Sequence, residues 1–63
     1  MTNQYIDLAF DKQVHQTKSA ILFDMGEPEP TWIPKAVIDM DEYDERDNVV
    51  PVKEGWAIDK GLV

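Results

Sequence analysis

The sequence predicts a mainly β fold of the small α+β kind. An antiparallel sheet of three to five strands, or a small SH3-like barrel, is expected with one short C-terminal helix. Three observations carry that expectation. The stretches Tyr5 to Phe10 (YIDLAF) and Ser19 to Met25 (SAILFDM) alternate with the two-residue period of strands. Pro28, Pro30, Pro34 and Pro51 punctuate the chain where ladders end or sheet edges lie. The last stretch, Glu54 to Lys60 (EGWAIDK), suits a short helix, with Gly61 just beyond it, where a left-handed cap belongs.

The elements follow in order. In YIDLAF, Ile6, Leu8 and Phe10 share one face, and Tyr5, Asp7 and Ala9 share the other, as in a half-buried strand. Asp11-Lys12-Gln13 reads as a turn. Gln13 to Ser19 (QVHQTKS) is polar apart from Val14 and reads as a loop or an edge strand carrying His15 and Thr17. SAILFDM is the strongest strand, with Ile21, Phe23 and Met25 on one face; apolar Leu22 on the other face predicts a central strand covered on both sides.

Gly26-Glu27-Pro28-Glu29-Pro30 makes a hairpin-type connection. Trp32 and Ile33 continue the sheet, and Pro34, lacking an amide hydrogen, places them on an edge. Lys35 to Met40 suits either a helical turn or a short strand. Asp41 to Asn48 reads as a solvated, mobile loop anchored only by Tyr43. Val49 to Val52 is a short strand, again edge-like because of Pro51. Gly55 weakens the final helix by about 1 kcal/mol. The core is expected to close with Trp32 from the sheet against Trp56 from the helix.

With 63 residues, one domain over 1–63 is expected, hiding only about 60% of its unfolded surface. No cysteine is present, so neither disulfides nor thiolate metal sites contribute, and a reducing, cytoplasmic setting is expected. MTNQYIDLAF lacks a basic region followed by an apolar stretch, so no secretory signal is read there. The longest apolar run, Ala20 to Phe23, is far too short to span a membrane. A homodimer that completes the small core is an alternative.

Thirteen acids against six bases give a net charge of −7, which disfavours ordinary nucleic-acid binding. Asp39, Asp41, Glu42, Asp44, Glu45 and Asp47 put six carboxylates within nine residues. A calcium loop needs alternate carboxylates and a central glycine; Tyr43 and Asp44 break that pattern. No metal or other cofactor is expected. An acidic patch of this kind suits a basic protein groove instead. Its candidate partner-binding residues are Asp39, Asp41, Glu42, Tyr43, Asp44, Glu45 and Asp47.

Catalysis finds little to work with. His15 is the only histidine, no glycine-rich phosphate loop exists, and His15 with Thr17 reads as a hydrogen-bonded pair fixing a loop. No enzyme is expected. The competing candidate site is His15, Trp32 and Lys35, an exposed ring beside a cation that would hold a nucleotide or single-stranded nucleic acid. Lys18, Lys35 and Lys53 are the cations expected near it.

The order of motifs then carries a resemblance. Val14-His15-x-Thr17-x-x-Ala20-Ile21-Leu22-Phe23-Asp24, an acidic turn with Gly26, Trp32-Ile33-Pro34-Lys35, and Trp56-Ala57 near Lys60-Gly61-Leu62 resemble a group of small tailed-phage proteins. There a VHxTxxAxL strand precedes a W(I/L)PKS strand, and the end reads like VPEWLAxKKGL. Here Ala36 replaces the serine, and Lys53-Glu54-Gly55 interrupts the Pro-Glu-Trp. The resemblance spans Val14 to Leu62 and implies a phage origin without an activity. The expected function is therefore that of a non-enzymatic phage accessory protein. It would bind and inhibit or modulate a larger host or phage protein with a basic surface, such as a nucleic-acid-acting or defence protein. A nucleotide-sequestering homo-oligomer and a structural subunit of a phage complex are the alternatives.

Overall fold

Alternation in the sequence becomes two small sheets wrapped around one core. The computed structural model describes residues 4–62; the expected domain over 1–63 and the reading of the first ten residues extend beyond these to residues 1–3 and 63. The described strands are β1 (Tyr5–Ala9), β2 (Lys12–Gln16), β3 (Ala20–Asp24), β4 (Thr31–Pro34) and β5 (Val49–Lys53), followed by α1 (Glu54–Asp59). All pairings are antiparallel: β2, β3 and β4 form one sheet in that order, and β1 pairs with β5 in the other.

Every strand but β2 sends apolar residues inward; β2 is exposed apart from half-buried Gln13. Leu8 faces Val50 and Ile6 faces Val52 across β1 and β5, and Ile21 faces Ile33 across β3 and β4. Leu8, Phe10, Ile21, Phe23, Ile33, Ile38, Val50, Val52 and Ala57 form the buried cluster. At about 25 cal/mol per Å² of apolar area, this cluster is the main driving force for folding. Its aromatic centre is Phe23, with the Phe10 ring 4.6 Å away and the Tyr43 ring 5.9 Å away and nearly perpendicular. Such tilted pairs suit the ring quadrupoles.

That centre corrects the expected Trp32–Trp56 closure. Trp32 points outward from β4 and is 46% exposed, while Trp56 is half-buried against the cluster. Strand geometry explains the difference: Ile33 takes the inward position, so its neighbour Trp32 must face the other side. Leu22 corrects a second expectation. β3 is central, but on its outward face Leu22 stays half-exposed and is not fully covered by the described residues.

Several connections are held by short-range hydrogen bonds. Only Phe10 and Asp11 separate β1 from β2, so the expected turn is shorter and Lys12 and Gln13 already belong to β2. Thr17 folds the β2–β3 turn through its own hydroxyl, which donates to the Ala20 carbonyl at 3.2 Å and accepts from the Ala20 amide at 3.1 Å. The expected His15–Thr17 pair is thus replaced by Thr17–Ala20. Lys35–Val37 is a 3-10 turn, after which Ile38 bridges to Val52. Both alternatives for this segment therefore occur, one after the other.

Helix α1 ends as its glycine predicts. Gly61 has φ +71, its amide donates to Ile58, and the Leu62 amide donates to Ala57. This pair of bonds satisfies the last carbonyls and turns Leu62 back onto the core. No helix among the described residues is long and apolar enough to cross a membrane.

Candidate functional site

The acidic run lies along the free edge of β5. Asp44 bridges to Val49 and Ile38 to Val52, while the Asp39 amide donates to the Pro51 carbonyl at 3.0 Å. Pro51 has no amide to offer in return, so the segment crosses this edge without forming a full strand. The run was expected to be mobile; the structure shows it fastened at three points.

The first fastening is a turn. Asp44 caps the 3-10 turn Glu45–Asp47 by accepting from the Arg46 amide at 2.9 Å. The Arg46 guanidinium also clasps both Asp44 oxygens, at 3.1 and 2.8 Å. These hydrogen bonds, the side-chain one foremost, hold the Asp44 carboxyl down at about 2. The second fastening is Asn48, left-handed at φ 56, whose side-chain amide donates to the carbonyls of Phe10 and Asp11 at 3.2 and 3.0 Å.

Tyr43 is the third. Its ring packs on Phe10 and Phe23, and its hydroxyl donates to Gln13 Oε1 at 2.7 Å. Burial, then the nearby Glu45 and Asp44 charges, pushes its pKa up to about 12. Tyr43 therefore anchors the loop to the core, and Asp44 shapes the turn. Asp41, Glu42, Glu45 and Asp47 are exposed, and Asp39 is half-exposed. Asp44–Arg46 is the ion pair found among the described residues, so these other carboxylates are presented to solvent without a cationic partner.

Pairing of β1 with β5 adds residues that the sequence did not link to this run. Asp7 lies across from Pro51, and Tyr5 across from Lys53. Together Tyr5, Asp7, Asp39, Glu42, Asp47, Val49 and Pro51 line an open groove of about 340 Å³. Its lining joins Tyr5, Val49 and Pro51 to the four acids Asp7, Asp39, Glu42 and Asp47. The alternation of YIDLAF placed Tyr5 and Asp7 on the outward face; only the long-range pairing shows which outward face that is. Among the described residues, no three His, Asp or Glu side chains gather to hold a metal ion.

The second candidate set falls on the other sheet. His15 lies across from Leu22, and Leu22 across from Trp32. The His15 and Trp32 ring centroids are 6.2 Å apart at 86°. Lys35 follows β4 directly, its amide donating to the Ser19 carbonyl at 2.9 Å beside the turn that carries Lys18. Lys53, expected near this set, lies instead on β5 in the other sheet; Lys12 belongs to this sheet, across from Asp24.

The chain is thus a mainly β protein of five described strands in two antiparallel sheets with a short C-terminal helix. Comparison with protein-family models, with curated proteins and with solved structures finds no match.

Proposed function

We propose that this is a non-enzymatic phage accessory protein that binds a larger protein with a basic surface and modulates or inhibits it. A nucleic-acid-acting or defence protein is the target this reading favours, because such proteins carry basic channels for phosphate backbones. The observation that carries the reading is the fastened acidic loop. Its exposed carboxylates stand on a clamped backbone beside the groove that Tyr5, Val49 and Pro51 help to line. A preordered loop loses less conformational entropy on docking than a mobile one would. The negative field also speeds encounter with a positive partner.

An arginine or lysine side chain of the partner suits the groove. Its aliphatic stem would lie on Val49 and Pro51, and its cationic head between Asp7, Asp39, Glu42 and Asp47. The resemblance to small tailed-phage proteins supports the phage setting, where the host cytosol supplies such partners.

The test is capture from a nuclease-treated bacterial lysate on the immobilised protein, eluted through rising salt. This reading expects a partner with a basic surface, released before about 1 M salt, where screening reaches about 3 Å. A partner held unchanged through that range would contradict it.

A further inference from the structure

The outward face of the β2–β3–β4 sheet is a different surface, on a different side of the shared core from the acidic groove. Its middle row runs His15, Leu22, Trp32 across the three strands. Trp32 is 46% exposed, and the near-perpendicular His15 ring leaves indole surface open to solvent.

This row is built by an irregularity. Lys12 faces Asp24 and Gln13 faces Phe23, a register that would bring Val14 opposite Leu22. A bulge between Gln13 and His15 shifts the pairing by one residue, so His15 takes that place in line with Trp32. Val14 is left exposed. Bulges recur where a side chain must be re-aimed. Here the re-aimed side chain is the chain's only histidine.

Charge on this sheet is divided between its ends. The strands and the segments directly joined to them carry Lys12, Lys18 and Lys35 against Asp11, Asp24, Glu27 and Glu29. The two ends differ. Lys12 stands across from Asp24, near Asp11 and the Glu27–Glu29 connection. Lys18 and Lys35 share the opposite end, where Lys35 is tied to Ser19 and no acid intervenes between residues 12 and 23 or between 31 and 38. That end begins about 7 Å from the Trp32 row, two strand residues away.

We infer that this face binds single-stranded nucleic acid. One base stacks on Trp32 beside His15, and the adjoining phosphates run toward Lys18 and Lys35. The occupant follows from complementarity: a polyanion with exposed flat rings matches an open indole flanked by cations. A duplex keeps its bases stacked on each other and offers no ring face to Trp32. A second copy of this chain would bring like cations together, and Pro34 discourages strand addition along β4.

The experiment is fluorescence anisotropy of a labelled oligothymidylate about ten nucleotides long, within the usual site size. Wild-type protein should bind it at low salt. The affinity should fall with salt at a logarithmic slope no steeper than about −2, as expected for two or three phosphates neutralised. Trp32→Ala should lose about fivefold to a hundredfold, the range for losing one base stack, and Trp32→Phe should restore most of it. The Lys18→Glu, Lys35→Glu double variant should also weaken binding. Thymidine monophosphate and a duplex of the same length should compete at least about tenfold less well.

No anisotropy change up to about 1 mM protein, weaker than ordinary non-specific binding, would overturn the inference. So would unchanged binding by folded Trp32→Ala. Equal competition by the mononucleotide would do the same, as would sedimentation showing a dimer that Trp32→Ala dissociates.

Discussion

Asn48 donates its side-chain amide to the carbonyl oxygen of Phe10 at 3.2 Å, joining positions 38 residues apart. The Phe10 amide returns a bond to the Asn48 carbonyl at 3.0 Å. This reciprocal clamp closes the acidic loop onto the β1–β2 corner. Asn48 is also the one non-glycine residue with positive φ among those described, a conformation asparagine tolerates better than most. Both properties meet in one residue.

Asn48→Ala should therefore lose both side-chain bonds and strain the backbone, at a cost of about 2–3 kcal/mol. Asn48→Gly loses the bonds but keeps the left-handed turn, so about 1–2 kcal/mol is expected. Urea unfolding of the two variants measures the difference. Equal stability of Ala and Gly here would mean that backbone strain plays no part.

Tyr43 separates packing from hydrogen bonding. Tyr43→Phe keeps the ring against Phe10 and Phe23 and removes the bond to Gln13, so a loss of about 1 kcal/mol is expected. Tyr43→Ala removes the anchor itself and should cost about 2–4 kcal/mol, shifted below the range for deleting a fully buried aromatic ring, because the site is only half-buried. In amide exchange, the Ala variant should release the 39–48 segment before the rest unfolds.

The same residue sets the alkaline limit. The folded pKa of Tyr43, about 12, exceeds its ordinary 10.0, so its contribution is intact below pH 10 and is lost as pH rises through 12. Asp44 works in the opposite sense. Lowered from 3.8 to about 2, it contributes above pH 3.8 and loses that contribution as pH falls through 2. Unfolding midpoints taken in steps of pH should show both losses. Tyr43→Phe should flatten the first and Asp44→Asn the second.

Phe23 and Trp32 should exchange the importance that residue size alone assigns them. Phe23→Ala empties the fully buried centre and should cost about 3–5 kcal/mol. Trp32→Ala, although it deletes a larger side chain, should cost no more than about 1 kcal/mol, because the ring projects from an outward face. Thermal or urea unfolding ranks them directly.

That contrast shows what the sequence carried. The inward rows of β1 and β3 were legible because alternation is local: Leu8 and Phe10, or Ile21 and Phe23, declare one face within a few residues. Pro34 and Pro51 likewise marked strands that do end at edges. Trp32 was misplaced because its size argued for the core, while its neighbour Ile33 already held the inward position. The division into two sheets was not legible, since β1 meets β5 only across forty residues or more. The acidic loop read as mobile because two of its three fastenings come from Phe10 and Gln13, far away in the chain; the third, Asp44 with Arg46, is local. For the same reason Tyr5 and Asp7 could not be joined to the acidic run.

The central claim is that the fastened carboxylates, and not the opposite sheet, engage the protein partner. The most direct measurement compares three immobilised baits in one nuclease-treated bacterial lysate: the wild type, Trp32→Ala, and a variant with Asp39→Asn, Asp41→Asn, Glu42→Gln, Glu45→Gln and Asp47→Asn. Asp44 and Tyr43 are kept, so the turn and its anchor remain. The account predicts that wild type and Trp32→Ala retain the same salt-released protein, and that the neutralised bait retains at least about tenfold less. Equal retention by the neutralised bait, or loss with Trp32→Ala alone, would contradict it.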